Sequence, residues 1–564
     1  MHLVRISAAC LLCSLLPEAP ASAAADFDTL TAEFVYSSLA LSPVTATAQG
    51  YHRHDGAVLD DQLDDFSPPA MDRALRFYRD WGQRLDRLDV SGLDAEQQAD
   101  LQIIRNAVGL ALLDLQTIQT YRHNPTLYVE LIGNALFEPF KLDYAPKSER
   151  FGHIITRLQR IPRLLDQARS NLTDAAPVWI QVARDENAGN FRLIDQILRA
   201  QVPTTQGPAY AAAAGPALEA LREFNRFLER TLSHHPRDWQ LGARNYREKC
   251  GYELAVGRSP EDLLASAQAD LKGTRDQMER LAAPLPVPEA LDRIARRHST
   301  PDRYLAQARL SLQQATDFVR ATGLVSLPPA GQLEVIETPE FLRGIYSVGG
   351  FDPAPALEPK LGAFYWVTPI PTDWPSELVE SKLREYNYFG IQQLTIHEAM
   401  PGHWVQADYA NRIQPPPRRV LRALYGNEPY VEGWAVYAQQ MMVEQGYLDG
   451  DSALRLTLLK QLLRSIANTI LDIRLHTMGM TDQQALDLMT HDAFEEPEEA
   501  GAKLLRAKLT SCQLASYYAG LKGWLEVRER FRQRHPADYS LSVFNERALS
   551  EGAVALPALT RLLQ

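Results

Sequence analysis

The residues best suited to chemistry in this chain fall in one octet, Ile396-His397-Glu398-Ala399-Met400-Pro401-Gly402-His403. Two imidazoles beside a carboxylate are the donor types of a hydrolytic zinc site, in which the rings hold the ion and the acid handles the proton of an activated water. Their spacing departs from the usual HExxH helix, where the histidines stand at i and i+4 on one face. Six residues of regular helix turn through roughly 600°, which leaves His403 about 120° away from His397. A straight helix cannot aim both rings at one ion. Pro401, at i+4 from His397, removes a backbone donor and crowds the His397 carbonyl, and Gly402 permits a sharp exit. The helix should therefore end at Met400, with the Pro-Gly break swinging His403 back toward His397. The competing reading is a His-Glu pair on a buried helix followed by an unrelated loop histidine.

Two neutral histidines leave an ion short of a ligand, and zinc hydrolases typically draw the third from a carboxylate on a following helix. Glu432, in Tyr430-Val431-Glu432-Gly433-Trp434-Ala435, is the first choice. Glu428, one turn earlier on the same face, is its rival, and solvated helix carboxylates are the bland alternative. Gly433 removes side-chain bulk beside the ligand, so two helices could approach closely there. Glu398, about 100° around the helix from His397, is free to face the water as general base. A developing oxyanion would need a donor, for which His476 and Tyr517 are the candidates. Arg474 and Arg506 could grip a substrate carboxylate in bidentate fashion, although helical arginines commonly pair with a neighbouring acid.

These side chains must be held by helices. Over 69–321 apolar residues recur at spacings of three and four, as in Leu101-Ile104-Val108-Leu112-Leu115, Ile155-Leu158-Ile161-Leu164-Leu165 and Leu218-Leu221-Phe224-Phe227-Leu228. The Ala-, Pro- and Gly-rich stretch 203–215 reads as a loop leading into a helix. Between 324 and 371 the character changes. Residues 333–337 and 363–367 have strand-like composition, separated by a Gly- and Pro-rich segment, which predicts a small β-sheet beside the metal-binding helix. Such a sheet edge could hold an extended substrate. Helical periodicity returns from 381 to the end, with Asn427 capping a helix through Gly446 and a long apolar helix over 454–478. The fold class is thus mostly α with a small β-sheet. A signal peptide (1–25), an N-terminal helical region (26–323) and a metal-site region (324–564) are expected, the last two packed as one continuous body.

At 564 residues the chain can bury a large core, and its 45% hydrophobic and 23% charged residues are those of an ordinary globular protein. A net charge of -12 disfavours nucleic acid or an anionic membrane as main partner. The first 25 residues combine Arg5, an apolar run over 6–16, and small-residue cleavage sites at Ala21-Ser22-Ala23 and Ala23-Ala24-Ala25. This predicts export to the periplasm or beyond. Cys10 lies too early in the apolar run for a lipoprotein acylation site, and no later stretch is long enough to span a bilayer. Cys10 and Cys13 leave with the signal, and Cys250 and Cys512 either pair or remain free and buried. No G-x-S-x-G elbow, Walker loop or Rossmann fingerprint occurs. Oligomeric state is not legible.

The run Glu385-Tyr386-Asn387, then Leu394 to His403, then Glu432-Gly433-Trp434-Ala435, resembles the DUF885 family of bacterial proteins, a family grouped with the zincin metallopeptidases. Ser42-Pro43-Val44-Thr45-Ala46-Thr47, Gly50-Tyr51-His52 and the run from Gln513 to Gly520 are similar to it too, so the likeness covers nearly the whole mature chain. It implies a helical zincin-like fold, a zinc site at His397, His403 and Glu432, and a catalytic Glu398. The chain departs from the family pattern at Ile473-Arg474, before His476, and at Ser511-Cys512, before Gln513. Those departures touch the roles of His476 and Tyr517 and leave the metal cluster intact. The resulting expectation is an exported, zinc-dependent metallohydrolase, a peptidase acting on short or unfolded peptides. The alternatives are a non-catalytic metal- or peptide-binding protein and a zinc hydrolase of non-peptide amides or esters.

Overall fold

The apolar stripes become the seams between helices in the computed structural model, which describes residues 23–564 apart from 330–332, 340–342, 344–345 and 347. Nearly all of the expected signal peptide, 1–22, lies outside the described residues. Ile155, Leu158, Ile161, Leu164 and Leu165 are buried on the helix Lys147–Asn171, which packs against Gly207–Arg230 through Leu218, Leu221 and Phe224. The second of these helices begins earlier than its composition suggests. Residues 207–215, expected as loop, are helical: Pro208 stands in the first turn, where a missing N–H costs nothing, and the alanines after it favour helix. Ala213 and Ala214 are then buried in the seam.

The core is divided differently from the expected regions. Residues from Tyr128 to Leu232 enclose one apolar cluster, whereas a second unites Phe27 to Val108 with Tyr246 to Leu563. The two ends of the 26–323 stretch thus pack with the metal-site region, and the boundary at 323 does not coincide with a change of core. A disulfide between Cys250 and Cys512, Cα atoms 5.5 Å apart, joins the helix Ala243–Glu253 to the N-cap of the helix Gln513–Arg534. Among the described residues no helix is long and apolar enough to cross a membrane.

Leu333–Glu337 and Ala363–Val367 are strands, paired in parallel. A third strand, Gly349–Asp352, comes from the segment expected merely to separate them and pairs antiparallel with Ala363–Val367, which is central. Gly349 makes this possible: it has φ +146°, and a Cβ there would sit 2.3 Å from the Trp366 carbonyl oxygen. The sheet is tied to the site helix Tyr388–Glu398 by a contact of 3.3 Å between the buried Tyr365 and Thr395 hydroxyls.

Two further helices complete the frame. Asn427 caps Glu428–Glu444, its side chain accepting the Tyr430 N–H. This helix crosses Gln513–Arg534 at a pair of glycines. A Cβ on Gly433 would lie 2.4 Å from the Gly520 carbonyl carbon, and one on Gly520 would lie 2.1 Å from the Pro429 oxygen. The backbones therefore touch, which brings Glu432 level with the first turns of the other helix. The apolar Ser452–Thr477 packs beside both.

Candidate metal centre

Asn387 starts the site helix: its Oδ1 accepts the Phe389 and Gly390 N–H groups at 3.0 and 3.2 Å, and its Nδ2 donates to the Arg384 carbonyl. The helix ends at Glu398, two residues before the expected stop. The chain then folds back onto its own end. The Met400 N–H donates to Thr395 O at 3.1 Å and the Gly402 N–H to Ile396 O at 2.9 Å. A Cβ on Gly402 would lie 1.9 Å from the His397 carbonyl oxygen, so no other residue can make this return. A new helix, His403–Ala410, starts at once. Trp434, two residues past Glu432, clamps the break by donating its indole N–H to the Pro401 carbonyl at 2.9 Å.

The break brings the imidazoles together, ring centres 4.8 Å apart and planes at 83°. Glu432 Oε2 lies 3.3 Å from His397 Nε2 and 3.5 Å from His403 Nε2, and one donor atom from each of the three residues lies within 4.8 Å of the others. Bonds of about 2.1 Å at tetrahedral angles put neighbouring donors about 3.4 Å apart, so the set fits a single ion. Glu432 Oε2 is buried without a hydrogen-bond partner, as is His403 Nδ1. Such an oxygen is costly unless something positive meets it. Burial alone would raise the Glu432 carboxyl, but the two imidazoles hold it far below the usual carboxylate range. Burial likewise opposes charge on His403, and the Glu432 carboxylate overrides it and raises the ring's pKa. The rival Glu428 is outside the cluster. Burial, with the neighbouring Glu432 and Glu253 carboxylates, pushes it up to about 7.

His397, Glu398 and Tyr517 line one side of a cavity of about 500 Å³. The Tyr517 ring stacks at 6.1 Å on His397, and its hydroxyl accepts from Arg506 Nη2 and Gln513 Nε2, each at 3.3 Å. The Gln513 amide also approaches the far oxygen of Glu432, 3.5 Å away, while its Oε1 accepts from Arg506 at 3.0 Å. Gln513 thus bridges the Glu432 carboxylate, the Tyr517 hydroxyl and the Arg506 guanidinium. It was not singled out from the sequence, although it stands one turn before Tyr517 in the run that resembles the family. Arg506 lines the cavity and Arg474 does not.

His476 must be reassigned. It is absent from the cavity wall, its Nε2 lies 2.9 Å from the Thr510 carbonyl and 3.2 Å from that of Ala507, and its Nδ1 faces the Leu241 N–H at 3.3 Å. Burial pushes its pKa down to about 4, so the ring is neutral and fully occupied by backbone. It ties the end of Ser452–Thr477 to two connecting segments and cannot serve an oxyanion.

Fold and site together define a mostly helical protein with a His-His-Glu donor set gathered at a broken helix beside an open cavity. The chain belongs to the family described as "Bacterial protein of unknown function (DUF885)", which matches residues 43–563. Its fold is shared by a candidate lipoprotein of unknown function from Shewanella oneidensis, 26% identical with a TM-score of 0.77, over 95% of this chain and 99% of that one. A candidate lipoprotein from Colwellia psychrerythraea is 18% identical with a TM-score of 0.78, over 96% and 98%. No curated protein matches the chain in sequence.

Proposed function

We propose that the protein is an exported, zinc-dependent hydrolase of peptides or related small amides, with the zincin-like arrangement that its family resemblance implies. The observation that carries this reading is the buried, unpartnered Glu432 Oε2 facing two imidazole nitrogens at the separations of a tetrahedral donor set. A zinc ion held by His397, His403 and Glu432 would supply Lewis-acid polarisation of a carbonyl and acidify a water to a pKa of about 7. Glu398 follows a ligand directly and lines the cavity, so its carboxylate takes the proton from the attacking water and delivers it to the leaving amine. The Tyr517 hydroxyl, which burial keeps protonated by raising its pKa, donates to the oxygen that gains charge. Its direction is fixed by Arg506 and Gln513. The edge strand Gly349–Asp352 reaches the same place, with Gly349 on the cavity wall and the Phe351 ring 6.3 Å from His403. An extended peptide can pair with such an edge.

Export is supported by the Cys250–Cys512 bond, which persists in oxidising compartments, and by the candidate lipoproteins of the same fold. The signal-like composition of residues 1–25 agrees with it. The test pairs metal analysis with a peptide-library digest, on the mature chain and on Glu398→Gln. One zinc per chain in both, with cleavage by the first alone, is the expected result. Wild-type protein that takes up no metal would end the reading, and metal without cleavage would favour a binding role.

A further inference from the structure

Of the two arginines on the cavity wall, Arg464 pairs with Glu499, and Arg506 forms no ion pair among the described residues. The helix Pro497–Leu509 presents Glu499, Lys503 and Arg506 to the cavity at intervals of three and four residues. Glu499 is taken by Arg464 and Lys382, and Lys503 sits in the field of Glu499 and Glu495. Arg506 donates to two neutral groups only, Gln513 Oε1 and Tyr517 Oη, and both contacts use Nη2. Among the described residues no carboxylate forms an ion pair with it, Glu432 acts on it only through its field, and its Nε and Nη1 make no hydrogen bond to a described residue. A fixed guanidinium fork with open donors matches a planar carboxylate.

Its place relative to the cluster sets what that carboxylate belongs to. Arg506 is one hydrogen bond from Gln513, and Gln513 is one contact from the ligand Glu432. Arg506 also donates to the Tyr517 hydroxyl, the group assigned to the oxyanion, so an anion on its open donors lies beside the reacting carbonyl, as the carboxylate of a chain's last residue would. Leu127, Leu505 and Leu509 line the same cavity and suit an apolar side chain. We propose that Arg506 binds the free α-carboxylate of the substrate, so that the protein cleaves short peptides at the bond one residue from their C-terminus. The proposal rests on the amide-hydrolase reading of the cluster and adds exo-action and a charge requirement to it.

The probes are N-acetyl-Gly-Phe and its C-terminal amide, which differ in that one charge. Binding is measured by calorimetry on zinc-loaded Glu398→Gln, and kcat/KM on the wild type. The acid should bind, and be cleaved, roughly ten- to a hundredfold better than the amide. Adding Arg506→Ala should remove the preference by weakening the acid alone, Arg506→Lys should restore part of it, and Arg474→Ala, off the cavity, should leave it intact. Melting curves confirm that each variant is folded. Equal binding of acid and amide overturns the proposal, as does an equal loss of both in Arg506→Ala, which would make Arg506 only a support for Tyr517. Displacement of the acid by inorganic phosphate at far lower concentration than by acetate overturns it too, in favour of a phosphoryl ligand. Preferred binding of the acid without any cleavage keeps the carboxylate site and sinks the hydrolase reading; cleavage without preference does the reverse.

Discussion

Gln513 is the residue on which the site's geometry turns without its being a ligand. It stands 81 residues from Glu432 in sequence, yet its amide faces that carboxylate's outer oxygen while also supporting the Tyr517 hydroxyl. Groups that orient a metal ligand are commonly worth a factor of roughly 10 to 100 in metal affinity. Gln513→Ala should therefore weaken zinc binding by about that factor, measured by competition with a chromophoric chelator, while leaving the fold intact. Unchanged affinity would show that Glu432 is held by its own helix alone. That His397, His403 and Glu432 come together is legible in the chain, because their types and spacing are written in it. Gln513 is not, because its role arises only when two helices cross at Gly433 and Gly520. His476 as a candidate oxyanion donor has a related origin: a histidine ending a helix looks the same in sequence whether its nitrogens meet a substrate or, as here, backbone carbonyls and an N–H.

The element that makes the cluster possible is a helix that stops and doubles back. Sequence placed the break at Pro401-Gly402 but ran the helix two residues too far, because helix propensity says nothing of a chain returning to hydrogen-bond Ile396 and Thr395. The third strand was missed on similar grounds: Gly349 and Gly350 have low β-propensity, and the close approach to Trp366 that demands glycine is a tertiary fact. Since an added methyl at Gly402 would stand 1.9 Å from the His397 oxygen and 2.3 Å from that of Ile396, both of them backbone, the turn can accept alanine only by moving His403. Gly402→Ala is thus expected to bring zinc content close to zero and to cost about 1–3 kcal/mol in stability. Metal analysis and thermal melting check the two parts. Gly273→Ala is the control, in the helix Pro260–Ala282 with nothing within 4 Å of the new methyl. It should keep its zinc and gain up to about 1 kcal/mol. A Gly402→Ala protein with full metal would show that the return path is not what gathers the imidazoles.

Across the whole molecule, the site depends on segments far apart in sequence meeting in one core. The helix Ala243–Glu253 belongs to the first half of the chain yet packs in the apolar cluster that includes Ile396, Ala399 and Trp434 beside the His-His-Glu set, and Cys250 on it bonds to Cys512, 262 residues later. Cys512 is the residue that begins the helix of Gln513 and Tyr517, so the cross-link pins the start of the element whose Gln513 approaches Glu432. Neither the pairing nor the discontinuous core could be read from spacing, since the separation of two distant cysteines is set by every helix between them. A covalent closure of so long a loop limits the unfolded chain strongly, and native disulfides typically contribute about 2–5 kcal/mol. The double variant Cys250→Ser, Cys512→Ser should lose stability of that order in denaturant titration and, with the helix start released, bind zinc more weakly. Both sulfurs are buried, Cys250 at 4% exposure and Cys512 at 0%, so a mild reductant added to the folded wild type should change neither property until the protein is partly unfolded. If the double variant unfolds at the same denaturant concentration as the wild type, the bond is not a constraint that the native state uses, and the support it lends to an oxidising compartment is lost with it.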